Sequence, residues 1–260
     1  MRHIEATQLD RLPGRRLGPE DTFCFRCHPG VACFNRCCRN LNLFLYPYDV
    51  VRLKNSLGIS SDRFLDQYVD VVLREGNFFP EVLLKMADNA DKTCPFLTPE
   101  GCSVYTDRPD TCRTFPLEQG VMFGDDGRQR EIVHFFRPPA FCRGQESDRR
   151  WNPRTWERDQ QAGVYHRMTA RWAGIKALFQ RDPWGPAVLE SPKGKMAFMA
   201  TYNMDRFREF VFRSSFLRRY RVPSKLARKA RTNDAELLKI GFAWVKLYVW
   251  GIRSKEITER

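Results

Sequence analysis

The sequence predicts an α+β fold: a helix-rich cysteine-cluster domain with a small β-hairpin and loops, followed by an α-helical C-terminal extension. Three observations carry that prediction. Five of the nine cysteines fall between Cys24 and Cys38, at loop-rich spacing. Gly124-Asp-Asp-Gly127 stands between Val121–Phe123 and Glu131–Phe136, which is a hairpin signal. Beyond residue 150, apolar side chains recur at three-and-four spacing, as on one-sided helices. Composition then divides the chain into a flexible arm (1–22), a cysteine-cluster metal-binding domain (23–146) and a helical extension packed on it (147–260).

The elements follow in order. Residues 1–22 are polar, contain Pro13-Gly14 and read as a loosely packed arm. After the first cysteine loop, Leu41–Tyr46 reads as a short strand. Pro47 is tolerated in a first helical turn, Val50, Val51, Leu53 and Leu57 face inward, and Gly58 suits the stop. Ser60 or Ser61 caps a second helix, with Phe64, Leu65, Tyr68, Val69 and Val72 as its stripe and Gly76 as its end. These two helices are expected to wall the metal site. Glu81–Ala87 reads as a strand. From Cys94 to Pro116, four prolines and a glycine leave little room for regular structure. The hairpin then returns Cys142 toward the earlier cysteines. Asp148–Arg154 reads as a boundary or hinge. Trp156, Val164, Met168, Trp172, Ile175 and Phe179 mark a helix to about Gln180, and Pro183–Pro186 breaks the chain. Asp205–Tyr220 is helical, and Asn233 with Glu236 opens a last helix that is apolar around most of its circumference.

The cysteines carry the chemistry. The opening residues lack the apolar run of a secretory leader, so the expected compartment is the cytoplasm. Thiols there stay reduced, and dense cysteine reads as metal-binding or catalytic. Neighbouring Cα atoms lie about 3.8 Å apart, short of the roughly 4.4–6.8 Å of disulfides. Cys37 and Cys38 therefore suit two ligand positions better than a mutual bridge. With Cys24 left aside, the candidate ligands are Cys27, Cys33, Cys37, Cys38, Cys94, Cys102, Cys112 and Cys142. Two closed four-thiolate sites would use all eight, and a four-iron cluster plus one ion would also fit. The irregular spacing favours iron, as a 4Fe–4S iron–sulfur cluster, over zinc or a single iron ion.

Phe25–Arg39 resembles the first block of the YkgJ-type cysteine-cluster family, described as zinc- or iron-chelating. The later block is carried by Cys94-Pro-Phe-Leu, Gly101-Cys102-Ser-Val-Tyr105 and Arg108-Pro-Asp-Thr-Cys112-Arg-Thr-Phe-Pro116, in the family's order. The resemblance covers about residues 23–143, and residues 198–250 resemble an extension found in some members. The first block departs from the family's C-x2-C-x2-C-C pattern, reading Cys27-x5-Cys33-x3-Cys37-Cys38. The family includes flagellin lysine methylases of the FliB type. The resemblance thus implies, as an alternative, a metal-dependent protein-modifying enzyme using S-adenosylmethionine.

The net charge of +13 permits anionic partners. Residues 206–231 hold ten basic residues and one acid, with interleaved Phe and Tyr. A basic scaffold that binds nucleic acid is therefore the third reading, ranked below a solvated helical face. The expected partners are the metal and an unidentified protein. The longest apolar stretch, Ile240–Trp250, is too short to span a bilayer. His28 is a candidate ligand or hydrogen-bond partner of one, while His134 and His166 read as structural. No phosphate loop, Gly-x-Ser-x-Gly or His-Glu-x-x-His motif occurs.

Overall fold

A computed structural model describes residues 2–75, 77–124, 129–181 and 191–260. The chain divides into two compact units, 1–43 with 85–174 and 44–84 with 175–260. The architecture is α+β, with small sheets and a helix-rich C-terminal part. This division falls elsewhere than the composition shifts suggested, because residues 44–84 share their unit with the C-terminal helices.

In the first unit, a four-stranded sheet runs in the order β1 (Arg2–His3), β9 (Leu117–Phe123), β10 (Gln129–Phe136), β2 (Arg15–Leu17). The expected hairpin is β9–β10, in register from Ile132↔Val121 to Phe136↔Leu117. Its tip, residues 125–128, lies outside the described residues. The first 22 residues differ from the expected loose arm. β1 pairs with β9, β2 pairs with β10, and Ile4 and Leu17 are buried. A few apolar side chains in a polar segment suffice to anchor it once two sheet edges are open. Asp148–Arg154 is likewise no free hinge: β11 (Arg150–Trp151) pairs with β3 (Phe23–Cys24). One core cluster gathers Leu17, Phe23, Phe25, Leu117, Cys142 and Trp156. The expected single helix from Trp156 is two, α4 (Pro153–Asp159) and α5 (Gly163–Arg181), broken at Gln160–Ala162. Asn152 caps α4 by accepting the Thr155 N–H at 2.8 Å. α5 begins in the first unit and ends in the second.

In the second unit, β4 (Phe44–Leu45) and β5 (Val69–Val72) flank β6 (Glu81–Leu84). Helix α1 (Pro47–Ser56) begins and ends as its sequence predicts, with Gly58 at φ +63°. Ser60 caps α2 (Ser61–Tyr68), accepting the Arg63 N–H at 3.2 Å. α2 stops at Tyr68, earlier than expected. Val69-Asp-Val-Val72 is rich in β-branched residues, and pairing with β6 outcompetes another helical turn. The expected stop, Gly76, lies outside the described residues, as does the Pro183–Pro186 break. Both helices belong to this unit rather than to that of the cysteines, and pack with α6 (Pro192–Tyr202), α7 (Met204–Arg213) and α10 (Asp234–Trp250). α8 (Phe216–Arg219), β12 (Tyr220–Arg221), α9 (Ser224–Ala230) and β13 (Thr258–Glu259) complete the unit. Trp244 on α10 is its aromatic hub, with ring centroids of Phe207, Phe210 and Phe216 at 5.9, 5.4 and 5.7 Å. Among the described residues no helix is long and apolar enough to cross a membrane.

Candidate metal centre

The eight expected ligands all lie in the first unit. Past β3, the Phe25 N–H donates to Arg149 O (3.0 Å) and the Arg26 N–H to Gly144 O (2.9 Å). Cys27 thus leaves the strand beside the turn that carries Cys142. Glycine is required there: a Cβ on Gly144 would lie 2.8 Å from a Phe25 ring carbon and 2.9 Å from Arg26 O. The chain then descends through successive reverse turns, Val31 N–H to His28 O, Phe34 to Val31, Arg36 to Cys33 and Cys38 to Asn35. Asn35, at φ +61°, sits in the left-handed region that asparagine tolerates. These turns bring Cys33, Cys37 and Cys38 round without any extended or helical run.

Two further segments clasp this loop. On one side, the Arg143 N–H donates to Cys33 Sγ at 3.1 Å, and the Arg36 guanidinium lies over the Phe141 ring at 4.9 Å. On the other, the Cys94 N–H donates to Cys38 O at 2.8 Å, and Arg39 bridges Thr93. Cys94 precedes and Cys102 ends one small hairpin, β7 (Leu97–Thr98) and β8 (Gly101–Cys102), in which Leu97 opposes Cys102. Cys112 rides on the short helix α3 (Asp110–Thr114).

The thiols consequently fall into two groups of four. Cys27 is exposed as a residue, but partial desolvation of its sulfur, then the neighbouring Cys37, Cys33 and Cys142, push its thiol up to about 11. Burial, with Cys33 and Cys37 beside it, also raises Cys142. In the second group, Cys38 has Cys112 and Cys94 as neighbours, and burial with Cys102 nearby raises Cys94. Cys37 and Cys38 join the groups. The Cys38 S–H donates to the Cys37 sulfur, which holds Cys37 down at about 7 and raises Cys38. Cys24, in β3 opposite Arg150, belongs to neither group.

Crowded, partly buried thiols disfavour the thiolate, and a bound cation reverses that balance by replacing the protons. Soft donors in fours fit zinc or iron. Among the described residues no three Cys, His, Asp or Glu side chains form a preassembled metal-holding group. Cys27 and Cys112 are exposed at the margins, which leaves a route of entry.

The buried cations here are missing from the sequence reading. Arg108, only 8% exposed, lies beside Cys102 and Cys112 and stacks over Tyr105 at 3.8 Å. It donates to Gln160 Oε1 at 2.6 Å. Arg113, 3% exposed, donates to the Gln160 and Thr106 carbonyls, both at 2.6 Å. Trp156 Nε1 donates to Thr114 O at 2.9 Å, and Thr169 Oγ1 to Asp110 Oδ2 at 3.0 Å. Helices α4 and α5 thus pin α3, and with it Cys112. The signal was present in Arg-Pro-x-x-Cys-Arg, whose two arginines flank Cys112.

The histidines stand apart from this arrangement. His28 is exposed and its Nδ1 accepts the Gly30 N–H at 3.2 Å, closing a local turn. His166 is buried between Asp110 (3.7 Å) and Glu157 (3.5 Å). Burial, then His166, depress His134 to about 4.

Residues 26–149 match the model of a family described as "CxxCxxCC: putative zinc- or iron-chelating domain". No curated protein and no solved structure matches the chain. The match supports metal binding by this segment.

Proposed function

We propose, from the match of residues 26–149 to the CxxCxxCC zinc- or iron-chelating domain model, that the protein holds two metal ions, each in a four-thiolate centre. One centre uses Cys27, Cys33, Cys37 and Cys142, and the other Cys38, Cys94, Cys102 and Cys112. The division of eight thiols into two neighbourhoods, meeting at Cys37-Cys38, carries this reading. Two closed tetrahedral sites consume every donor, as structural zinc or mononuclear iron sites do. The adjacent arginines supply positive charge against the net negative charge of a tetrathiolate centre. The centres replace regular secondary structure in the loops they join, so their binding energy is folding energy.

A 4Fe–4S cluster in one group is the second reading, favoured by the irregular spacing of the first block. Metal analysis of anaerobically purified protein distinguishes the two. We expect two equivalents of zinc or iron, with no acid-labile sulfide. Cys27→Ser and Cys94→Ser should each lose one equivalent, and the double variant both, with melting temperature falling in step. A brown protein containing four irons and labile sulfide establishes the cluster. Full metal content in both single variants refutes the ligand assignment.

A further inference from the structure

Residues 210–233 of the second unit contain eight Lys or Arg and no Asp or Glu. The sequence presents them as a charge run, but the fold gathers part of them round a cleft of about 290 Å³. Leu217, Tyr220 and Ala227 line it together with Arg228, Arg231 and Arg260. Two backbone features shape the walls. β12 pairs with β13 through Tyr220↔Glu259, and the Arg260 N–H donates to Arg219 O at 3.0 Å. Arg231 lies over the Phe212 ring at 4.5 Å, which restrains its guanidinium.

The acids of the surrounding helices are engaged elsewhere. Glu209 pairs with Arg213, and Asp205 and Asp234 pair with Lys54 and Arg208. Among the described residues, Arg228, Arg231 and Arg260 form no ion pair. With Glu259 the one acid of the flanking strand, Arg228, Arg231 and Arg260 leave the cleft net positive, and an anion offsets that charge.

We propose that this cleft binds the phosphodiester backbone of single-stranded nucleic acid, one phosphate in the cleft and its neighbours along the flanking cations. Arginine supplies six of the eight basic residues, and its fork matches phosphate oxygens two at a time. The cleft volume is at the lower edge of the roughly 300–1,000 Å³ of small-molecule pockets, which suits a phosphate and its sugar rather than a whole free ligand. Cations continue on both sides of it, in 213–221 and 225–231, so a polymer with one charge per repeat meets them in succession. Residues 210–233 expose no large apolar side chain for insertion into a bilayer. Nothing in the cleft reads base edges, so the binding is independent of sequence.

The test uses the full-length, metal-loaded protein and a fluorescent oligothymidylate of about 20 nucleotides, titrated across a range of salt. Arg228→Gln/Arg231→Gln/Arg260→Gln should weaken binding about tenfold or more at about 0.1 M salt and lower the slope of log K against log salt by about 2, three phosphate contacts being lost. The exposed control Arg11→Gln/Arg154→Gln/Arg158→Gln removes the same charge and should change affinity less than about threefold. Unchanged metal content and melting temperature in both variants confirm that the fold is intact. Equal losses in the two variants overturn the proposal, since bulk charge then accounts for the binding. So do absence of binding at about 0.1 M salt, equal competition by polyglutamate of matched charge, and preferential binding to phosphatidylserine vesicles.

Discussion

At the scale of single residues, Cys37 and Cys38 share a peptide bond yet have different neighbours, Cys27 and Cys142 for one, Cys94 and Cys112 for the other. The two sulfurs are in hydrogen-bond contact, yet each adds a different set of thiols to its surroundings, at the end of the turns that run through Asn35 to the single helical turn of Arg36–Cys38. The vicinal pair was legible as two free thiols rather than a mutual bridge. Its partners were not, since no spacing rule says which distant cysteine meets which half of the pair. Glu81 is a buried group of another kind. Burial alone would raise its carboxyl, but Arg74 and Lys176 together hold it below the ordinary glutamate value. It also accepts a hydrogen bond from Asn77 at 2.7 Å. A depressed folded value means stability that is present above the unfolded value, near ~4.3, and lost as pH falls through the folded one. Between pH ~6 and ~3 the melting temperature of the wild type should therefore fall more steeply than that of Glu81→Gln. At pH 7 the variant should be less stable by about 1–3 kcal/mol, because two cations lose their anionic partner. Parallel pH profiles for the two proteins would contradict this.

At the scale of elements, close backbone approaches decide what the sequence could announce. Helix α10 was legible from its cap and its apolar circumference: the Asn233 side chain accepts the Glu236 N–H at 3.1 Å, and Gly251 ends it at φ +68°. Helix α6, beside it, was not read. It carries Gly194, Ala197 and Ala200 where a stripe of large residues would have marked a buried face. The packing explains this, because a Cβ on Gly241 of α10 would lie 2.0 Å from Ala200 O. Small residues are what permit the crossing, and small residues give no periodic signal. The turn at Gly144 obeys the same logic beside the thiols. Gly144→Ala must displace either Phe25 from the core or the Arg26 carbonyl, and with the latter the Arg26 N–H bond to the Gly144 carbonyl. It should cost about 1–3 kcal/mol and loosen the Cys27–Cys142 neighbourhood alone. Under chelator competition, one equivalent of metal should leave this variant faster than from the wild type while the other is retained. Uniform loss of both equivalents would contradict the separation of the groups.

At the scale of the whole molecule, the family match and the compact units do not coincide. The match runs unbroken over 26–149, but residues 44–84 within it pack with 175–260. Sequence patterns could mark the cysteine blocks and the change of composition near residue 147. They could not show that α1 and α2 find their apolar partners more than a hundred residues further on, in α6, α7 and α10. Lys54 on α1 makes the dependence concrete: nearly fully buried, it pairs with Asp234 at 2.9 Å and Asp205 at 3.4 Å. A chain cut after residue 146 loses both carboxylates, together with Trp156 and Gln160, which pin α3. We expect that fragment to be insoluble or unfolded with or without added zinc or iron, measured by circular dichroism and limited proteolysis. A soluble, protease-resistant fragment that binds two metal equivalents would show the C-terminal half to be dispensable.

The interleaving of the thiols also sets an order in time. A ribosome delivers the chain from its N-terminus, so each centre can assemble only once its last cysteine has emerged. For the group containing Cys38 that residue is Cys112, and for the group containing Cys37 it is Cys142, thirty residues later. During that interval Cys27, Cys33 and Cys37 are three thiols awaiting a fourth, next to a centre that can already be loaded. With the ligands divided as proposed, the nascent protein would pass through a half-metallated stage in which the later centre is the one open to oxidation, to exchange or to the wrong metal.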